Sequence, residues 1–188
     1  MSLSSIGSSA PARHLVCLDL LQPKLGDNDD GLIGNSGRRI QNCRRLLVYG
    51  RTMGWAITHV YDHTARSRHA RAIPGLEPLQ IEPVIYRTGV SAFSNRMFRE
   101  NVERTLDVEL ILLGLSLSPT CLATALAARD RGVAVALVED VVAGSPGVAA
   151  GIGAIQTLSH SIAAPFVKIT RTDELIDSRR GLRVVSRS

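Results

Sequence analysis

Short apolar runs alternate with amphipathic stretches along most of the chain. Continuous apolar runs predict strands, and apolar residues that recur at helical spacing predict helices. The predicted strands lie at residues 14–20, 56–62, 82–87, 108–115, 133–140 and 165–170. The predicted helices lie between them, at residues 38–55, 94–106, 119–131 and 145–163, with a last capped turn at residues 172–178.

This alternation predicts an α/β fold, a three-layer α/β/α sandwich. Connections through helices or long crossovers imply a right-handed, mostly parallel sheet of six strands that is covered on both faces. The almost continuous apolar run at residues 108–115 is typical of a strand buried on both faces. No Gly-x-Gly-x-x-Gly or Walker loop follows a predicted strand, so the nucleotide-binding versions of this architecture lack their phosphate cradle. Ligand chemistry is therefore expected at the carboxyl ends of the strands.

The length of 188 residues suits one domain of ordinary size. We expect a flexible segment over residues 1–12 and a single domain over residues 13–188. Apolar runs end well before the roughly 18 residues that a membrane span needs. The serine-rich start has no apolar segment of signal-peptide length, so we expect a cytoplasmic protein with no membrane association.

The net charge of +5 raises the question of nucleic-acid binding. The basic residues are dispersed, however, and only three Phe, three Tyr and one Trp are available to stack on bases. We therefore expect no nucleic-acid partner. The basic residues are strongly biased, because all of them except Lys24 and Lys168 are arginine.

The three cysteines are too scattered for a disulfide framework or a Cys-x-x-Cys metal motif. Cys17 lies within a predicted strand and Cys43 within an amphipathic helix, where packing roles are expected. Cys121 is different, because Ser118 is a candidate helix cap and Pro119 suits the first helical position. Free backbone N–H groups there favour a thiolate and could hold an oxyanion. The alternative is a cysteine that fills the core, since free cysteine is among the most buried residue types.

Three candidate site residues fall at the carboxyl ends of predicted strands. Asp19 ends the first strand, Arg87 ends the third, and Cys121 opens the helix after the fourth. In a parallel sheet these positions share one edge, which would bring a carboxylate, a cation and a thiol together. An acid that ends an apolar strand is costly unless it is exposed or partnered, so Asp19 is either a site residue or a strand-end cap.

Four motifs resemble the isochorismatase-like cysteine hydrolases in order and spacing. They are LVCLDLLQP, VIYRTGVSAFSNRMF, LILLGLSLSPTCLATALAARDRGVAVALVEDVVAG and ITRTDEL, which together span residues 14–175. The resemblance implies a six-stranded parallel sandwich, assembly into homodimers or homotetramers, and an Asp-Lys-Cys triad. It implies Asp19 as the base that accepts the thiol proton and Cys121 as the nucleophile. The implied oxyanion donors are the backbone N–H groups of Cys121 and Leu117, the second after a cis peptide.

Two positions near the implied triad depart from the family pattern. Arg87 stands where the family has its lysine. Arginine stays protonated, so it can orient Asp19 and stabilise charge but cannot readily donate or shuttle a proton. The family glutamine two places after the aspartate is Leu21 here, and Gln22 comes one place later.

A third departure concerns metal binding. Nicotinamidases of this superfamily carry an Asp-x-His pair and a further histidine, whereas here Asp62 and His63 are adjacent and His69 follows six places later. Adjacent side chains in an extended segment point apart. We therefore expect neither a metal nor another cofactor.

The sequence and the resemblance together predict a cysteine-dependent hydrolase of a small amide or carbamoyl-type substrate, acting through a thioester. Two alternatives stay open. The chain could be a non-catalytic member that keeps its pocket for ligand binding, or a thiol-independent hydrolase that cleaves a vinyl ether with Asp19 as the acid.

Overall fold

A six-stranded parallel sheet forms the middle layer of the protein. The computed structural model describes residues 11–22, 33–63, 70–105, 107–114, 119–141, 161 and 165–177. The strands follow the order β3-β2-β1-β4-β5-β6, and every neighbouring pair is parallel. They are β1 Ala12–Leu18, β2 Ala56–Asp62, β3 Val84–Arg87, β4 Val108–Gly114, β5 Ala134–Val138 and β6 Lys168–Thr170. The predicted α/β class and six-stranded parallel sheet are confirmed.

Helices cover both faces of this sheet. They are α1 Ile33–Thr52, α2 Arg96–Arg104, α3 Pro119–Arg129 and α4 Thr172–Asp177, with a 3-10 turn at Ala92–Ser94. Gly50 of α1 packs so close to Leu15 that a Cβ at this position would lie 3.5 Å from the Leu15 side chain. The neighbouring His14 packs its ring against Phe98 of α2 at a centroid distance of 6.1 Å. Successive residues of a strand point to opposite faces, so α1 and α2 lie on opposite sides of the sheet.

The two middle strands are buried on both faces, as their continuous apolar sequences predict. In β4, residues Leu110–Leu113 are completely buried, and so are Leu15, Val16 and Cys17 of β1. Cys43 of α1 is also fully buried. The packing roles predicted for Cys17 and Cys43 agree with these positions.

Several element boundaries differ from the prediction. β1 ends at Leu18 instead of residue 20, so that Asp19 follows the strand. α1 begins at Ile33, five residues before the predicted start, in a Gly- and Asn-containing stretch without apolar periodicity. β6 has only three residues. The helix predicted at 145–163 lies outside the described residues except for Ser161, which is helical. No helix in the described ranges is long and apolar enough to cross a bilayer.

A buried ion cluster attaches the connection between β2 and β3 to the sheet. The Glu82 carboxylate accepts hydrogen bonds from Arg51 Nε at 2.7 Å and from the Leu79 backbone N–H at 2.8 Å. His59 Nε2 lies 3.0 Å from Glu82 Oε2. Burial raises the pKa of Glu82, but the hydrogen bonds from Arg51, Leu79 and His59 outweigh it and hold the pKa at about 2. Glu82 therefore fixes the segment that leads into β3.

Glu82→Gln should lower the free energy of unfolding by about 3 kcal/mol at pH 7, because it removes one partner of a buried ion pair. The pKa of Glu82 lies below its ordinary value of 4.5. The carboxylate therefore stabilises the fold fully above about pH 4.5 and progressively less as the pH falls toward about 2. Urea denaturation at pH 7, 5 and 3 should show the difference between variant and wild type shrinking at pH 3.

Glu77→Gln is the matched control, since Glu77 is an exposed carboxylate of the same segment that accepts the Gly75 N–H. We expect its effect to stay within about 0.5 kcal/mol. A loss at Glu82→Gln that is equal at pH 3 and pH 7 would contradict the proposed ionisation.

Candidate active site

The carboxyl ends of β1, β2 and β3 bring two carboxylates and one guanidinium together. Asp62 and Arg87 are the last residues of their strands and lie opposite each other in the sheet register. Asp19 follows β1 directly, and its backbone N–H donates to Val60 O at 3.0 Å. The sheet order β3-β2-β1 places all three strand ends side by side.

The Arg87 guanidinium bridges the two carboxylates. Its Nη2 lies 3.0 Å from Asp19 Oδ2, and its Nη1 lies 3.0 Å from Asp62 Oδ2. Nη1 also donates to the Gly89 carbonyl at 2.9 Å. The Arg87 side chain is 11% exposed, against 32% for Asp19 and 36% for Asp62. The cation is thus the least exposed member of the cluster.

Two atoms of this cluster have no hydrogen-bond partner among the described residues. They are Asp19 Oδ1, an acceptor, and Arg87 Nε, a donor, and both are buried. Buried polar groups are normally paired. Because Oδ1 is unpaired within the described ranges while Oδ2 is engaged, Asp19 can accept a further proton or hydrogen bond there.

The backbone at Asp19 adopts a conformation that residues other than glycine rarely take. Its φ is +49°, in the left-handed region where aspartate and asparagine are enriched among non-glycine residues. The Leu21 N–H donates to the Asp19 carbonyl at 2.8 Å, which closes a tight turn after β1. Such strain is often found at functional sites, and the Asp19 side chain that follows this turn contacts Arg87.

Gln22 does not join this cluster. Its side-chain amide donates to the Ala72 carbonyl at 2.9 Å, and its backbone N–H donates to the Arg71 carbonyl at 2.8 Å. The residue therefore ties the turn after β1 to the segment at residues 71–73.

Cys121 is the third residue of α3, and the helix starts at Pro119 as predicted. β4 pairs with β1 so that Gly114 lies opposite Leu18, which places the end of β4 beside Asp19. The Cys121 side chain is completely buried, and this burial raises its thiol pKa to about 12. The lowered pKa expected at a helix start is therefore not found, because burial disfavours the charged thiolate. Leu117 and Ser118, the predicted oxyanion donor and helix cap, lie outside the described residues.

The structure adds Asp62 to the site, a residue that the sequence analysis considered only as a metal ligand. The available signal was its place at the end of the strand next to β1. Asp62 pairs with Arg87, while the His63 backbone N–H donates to the Arg87 carbonyl at 2.9 Å. Within the described ranges, no three His, Cys, Asp or Glu side chains are grouped so that they could hold a metal ion. His69 lies outside those ranges.

Comparison with known proteins identifies the family. The model of the isochorismatase domain matches residues 16–174, most of the chain. The chain belongs to the isochorismatase family. This match confirms the resemblance that the sequence motifs indicated, and it supports the prediction that the protein is a hydrolase. No curated protein matches the sequence.

Several solved structures share the fold of this isochorismatase-family chain. An isochorismatase from Pseudomonas putida KT2440 is 24% identical, with a TM-score of 0.70 and coverage of 86% of this chain and 89% of that one. A cysteine hydrolase from Pseudomonas syringae pv. phaseolicola 1448A is 19% identical, with a TM-score of 0.72 and coverage of 90% and 92%. An isochorismatase-like hydrolase from Alkaliphilus metalliredigens is 16% identical, with a TM-score of 0.72 and coverage of 91% and 98%.

Alkylation of Cys121 should be slow in the native protein because its thiol is buried and protonated. With iodoacetamide between pH 6 and 9, followed by peptide mass spectrometry, we expect its rate to rise with pH and not to level off below pH 8. The raised pKa keeps the thiolate fraction small throughout this range. Urea-unfolded protein is the control, in which all three cysteines should titrate near about 8.5. Rapid alkylation of native Cys121 that levels off below pH 8 would contradict this description.

Proposed function

We propose that this isochorismatase-family protein hydrolyses a small amide or carbamoyl compound through a thioester on Cys121. The observation that carries the proposal is the buried Oδ1 of Asp19, which has no hydrogen-bond partner among the described residues, beside an Oδ2 held by Arg87. A positioned acceptor at the strand edge next to the helix of Cys121 is what an acid–base step at the thiol requires.

The raised pKa of Cys121, about 12, determines how the thiol reacts. A resting thiolate is scarce at neutral pH, so the proton leaves as the sulfur attacks. Asp19 is proposed to take this proton on Oδ1. Arg87 holds the other oxygen and stays charged throughout, because arginine does not deprotonate in proteins.

The proposed reaction has two halves. In the first, Cys121 Sγ attacks the carbonyl carbon and its proton passes to Asp19. The tetrahedral oxyanion is held by backbone N–H groups, for which Cys121 and Leu117 are the candidates. Asp19 then returns the proton to the leaving nitrogen as the C–N bond breaks. In the second half, water attacks the thioester carbonyl carbon and gives a proton to Asp19. As the C–S bond breaks, Asp19 passes this proton to Cys121 Sγ, which releases the acid and restores the thiol and the ionised carboxylate.

Arg87 is proposed to orient the base. Its contacts with Asp62 and with the Gly89 carbonyl fix the guanidinium, so Asp19 Oδ2 is held in one position. The lysine of the family pattern could also form an ion pair with Asp19. Its single ammonium nitrogen could not bridge two carboxylates through two separate nitrogens, as the planar guanidinium does. The change to arginine thus favours orientation and charge stabilisation over proton transfer.

Cys121→Ala should lower kcat/KM by at least about 10³-fold, and Asp19→Asn by at least about 10²-fold. The assay is release of ammonia or amine from a panel of small amides and carbamoyl compounds, with thermal unfolding as the test of folding. Cys43→Ala is the matched control, because it removes a buried thiol from α1 and should leave the activity of the folded protein near wild type.

Other results would favour the two alternatives. Vinyl-ether cleavage that survives Cys121→Ala would identify a thiol-independent hydrolase. A ligand that raises the unfolding temperature without being consumed would favour a binding role. The complete burial of Cys121 is the observation that favours this binding role.

Arg87→Met should lower kcat/KM by at least about 10²-fold, because it leaves two neighbouring carboxylates without their cation. Arg87→Lys should retain within about tenfold of wild-type activity, since it keeps one ion pair to Asp19. Arg96→Met is the control, because Arg96 forms an exposed ion pair with Glu100 on α2. Equal activities of Arg87→Met and Arg87→Lys would exclude a role for the charge.

A further inference from the structure

A second cleft lies at the amino end of the sheet, away from Asp19 and Arg87. It has a volume of about 710 Å³ and is bordered by the first residues of β1 and β2, the segment before β3 and the last turn of α2. We call it the amino-edge cleft and define it by His14, Trp55, Ile57, Ile81 and Arg104.

The cleft exists because β3 is shorter than β2. β3 pairs with β2 only from His59 onward, so the first three residues of β2 extend past it. The His59 N–H donates to the Pro83 carbonyl at 2.9 Å, and the Val60 carbonyl accepts from Asp19 on the other side. Backbone groups alternate sides along a strand. The N–H and C=O of Ile57 therefore point to the side of β2 along which β3 does not extend. Pro83 has no N–H to donate there.

Apolar side chains form the wall of the amino-edge cleft. Ile81 is 89% exposed and Leu79 is 46% exposed. Both residues line the cleft, and such exposure is unusual for large aliphatic side chains that lie together. Trp55 is held in place by an edge-on contact with Tyr49 at 5.5 Å. Arg13 lies over the same indole at 5.2 Å. Trp55 is therefore held by Tyr49 and Arg13, and it lines the cleft together with two exposed aliphatic side chains.

The charge available in the cleft is positive. Arg51 is already engaged with Glu82. Arg104 is 77% exposed, and among the described residues its ion pair is a long one, with Glu100 at 3.6 Å. His14 bonds to Thr58 at 2.8 Å, and burial lowers its pKa to about 4, so it contributes a neutral polar group at physiological pH. Among the described lining residues, the guanidinium of Arg104 is thus the charge most free to meet a ligand.

We propose that the amino-edge cleft binds a small apolar anion, with its carboxylate or sulfonate on Arg104 and its flat body between Trp55 and Ile81. Charge complementarity selects the anion, and the exposed aliphatic wall selects the apolar body. The cleft borders the segment at residues 79–83 that leads into β3, whose last residue is Arg87. This binding site is independent of the hydrolytic function proposed above.

The test uses 8-anilinonaphthalene-1-sulfonate, an apolar aromatic sulfonate whose emission rises in apolar surroundings. We expect saturable binding to the native protein at pH 7.5, together with quenching of Trp55, the single tryptophan of the chain. Ile81→Asp and Arg104→Glu should each raise the dissociation constant by at least about tenfold. Two matched controls should stay within about twofold of wild type: Phe166→Asp, an exposed apolar residue before the far edge strand, and Arg129→Glu, an exposed arginine on α3.

Three results would overturn the proposal. The first is non-saturable binding, and the second is binding that all four variants weaken equally. The third is a concentration-dependent mass in sedimentation that Ile81→Asp alone reduces, since a second copy of the chain would then cover the cleft. Urea denaturation of each variant excludes loss of folding as the cause of lost binding.

Discussion

The candidate site depends on one guanidinium that joins three strand ends. Arg87 at the end of β3 reaches Asp62 on β2 and Asp19 beyond β1, both at 3.0 Å. A cation that is only 11% exposed is costly unless it is paired, which explains why two carboxylates meet it. Asp19 lies in a left-handed turn, with Oδ2 engaged by Arg87 and Oδ1 without a partner in the part of the chain that the structure describes.

The short edge strand β3 is held at both ends by arginine and carboxylate. Before the strand, Arg51 and His59 meet Glu82, and at its end Arg87 meets Asp19 and Asp62. A strand of four residues on the edge of a sheet has few ladder bonds to fix it. The two ion clusters therefore stabilise the strand that carries Arg87. The first cluster also borders the amino-edge cleft, which places that cleft next to the segment leading into β3.

The fold could be predicted from sequence because buried parallel strands have almost continuous apolar sequences. The same reasoning placed Asp19 and Arg87 at one edge of the sheet, and the structure shows them in contact. It missed the pairing of Asp62 with Arg87, since the reach of a side chain across a neighbouring strand is not visible in a linear pattern. It also expected a lowered pKa for Cys121 from its place in the helix. How deeply a helix start is buried depends on tertiary packing, and that burial raises the pKa instead.

Burial of Cys121 shapes the proposed chemistry, because a thiol that is protonated at rest needs a base at the moment of attack. The most direct test is mass spectrometry of enzyme quenched with acid during turnover of an active amide, read at the peptide that contains Cys121. We expect an acyl group on this cysteine in wild type, formed more slowly in Asp19→Asn. Turnover with no acyl group on Cys121, or with the acyl group on another residue, would contradict it.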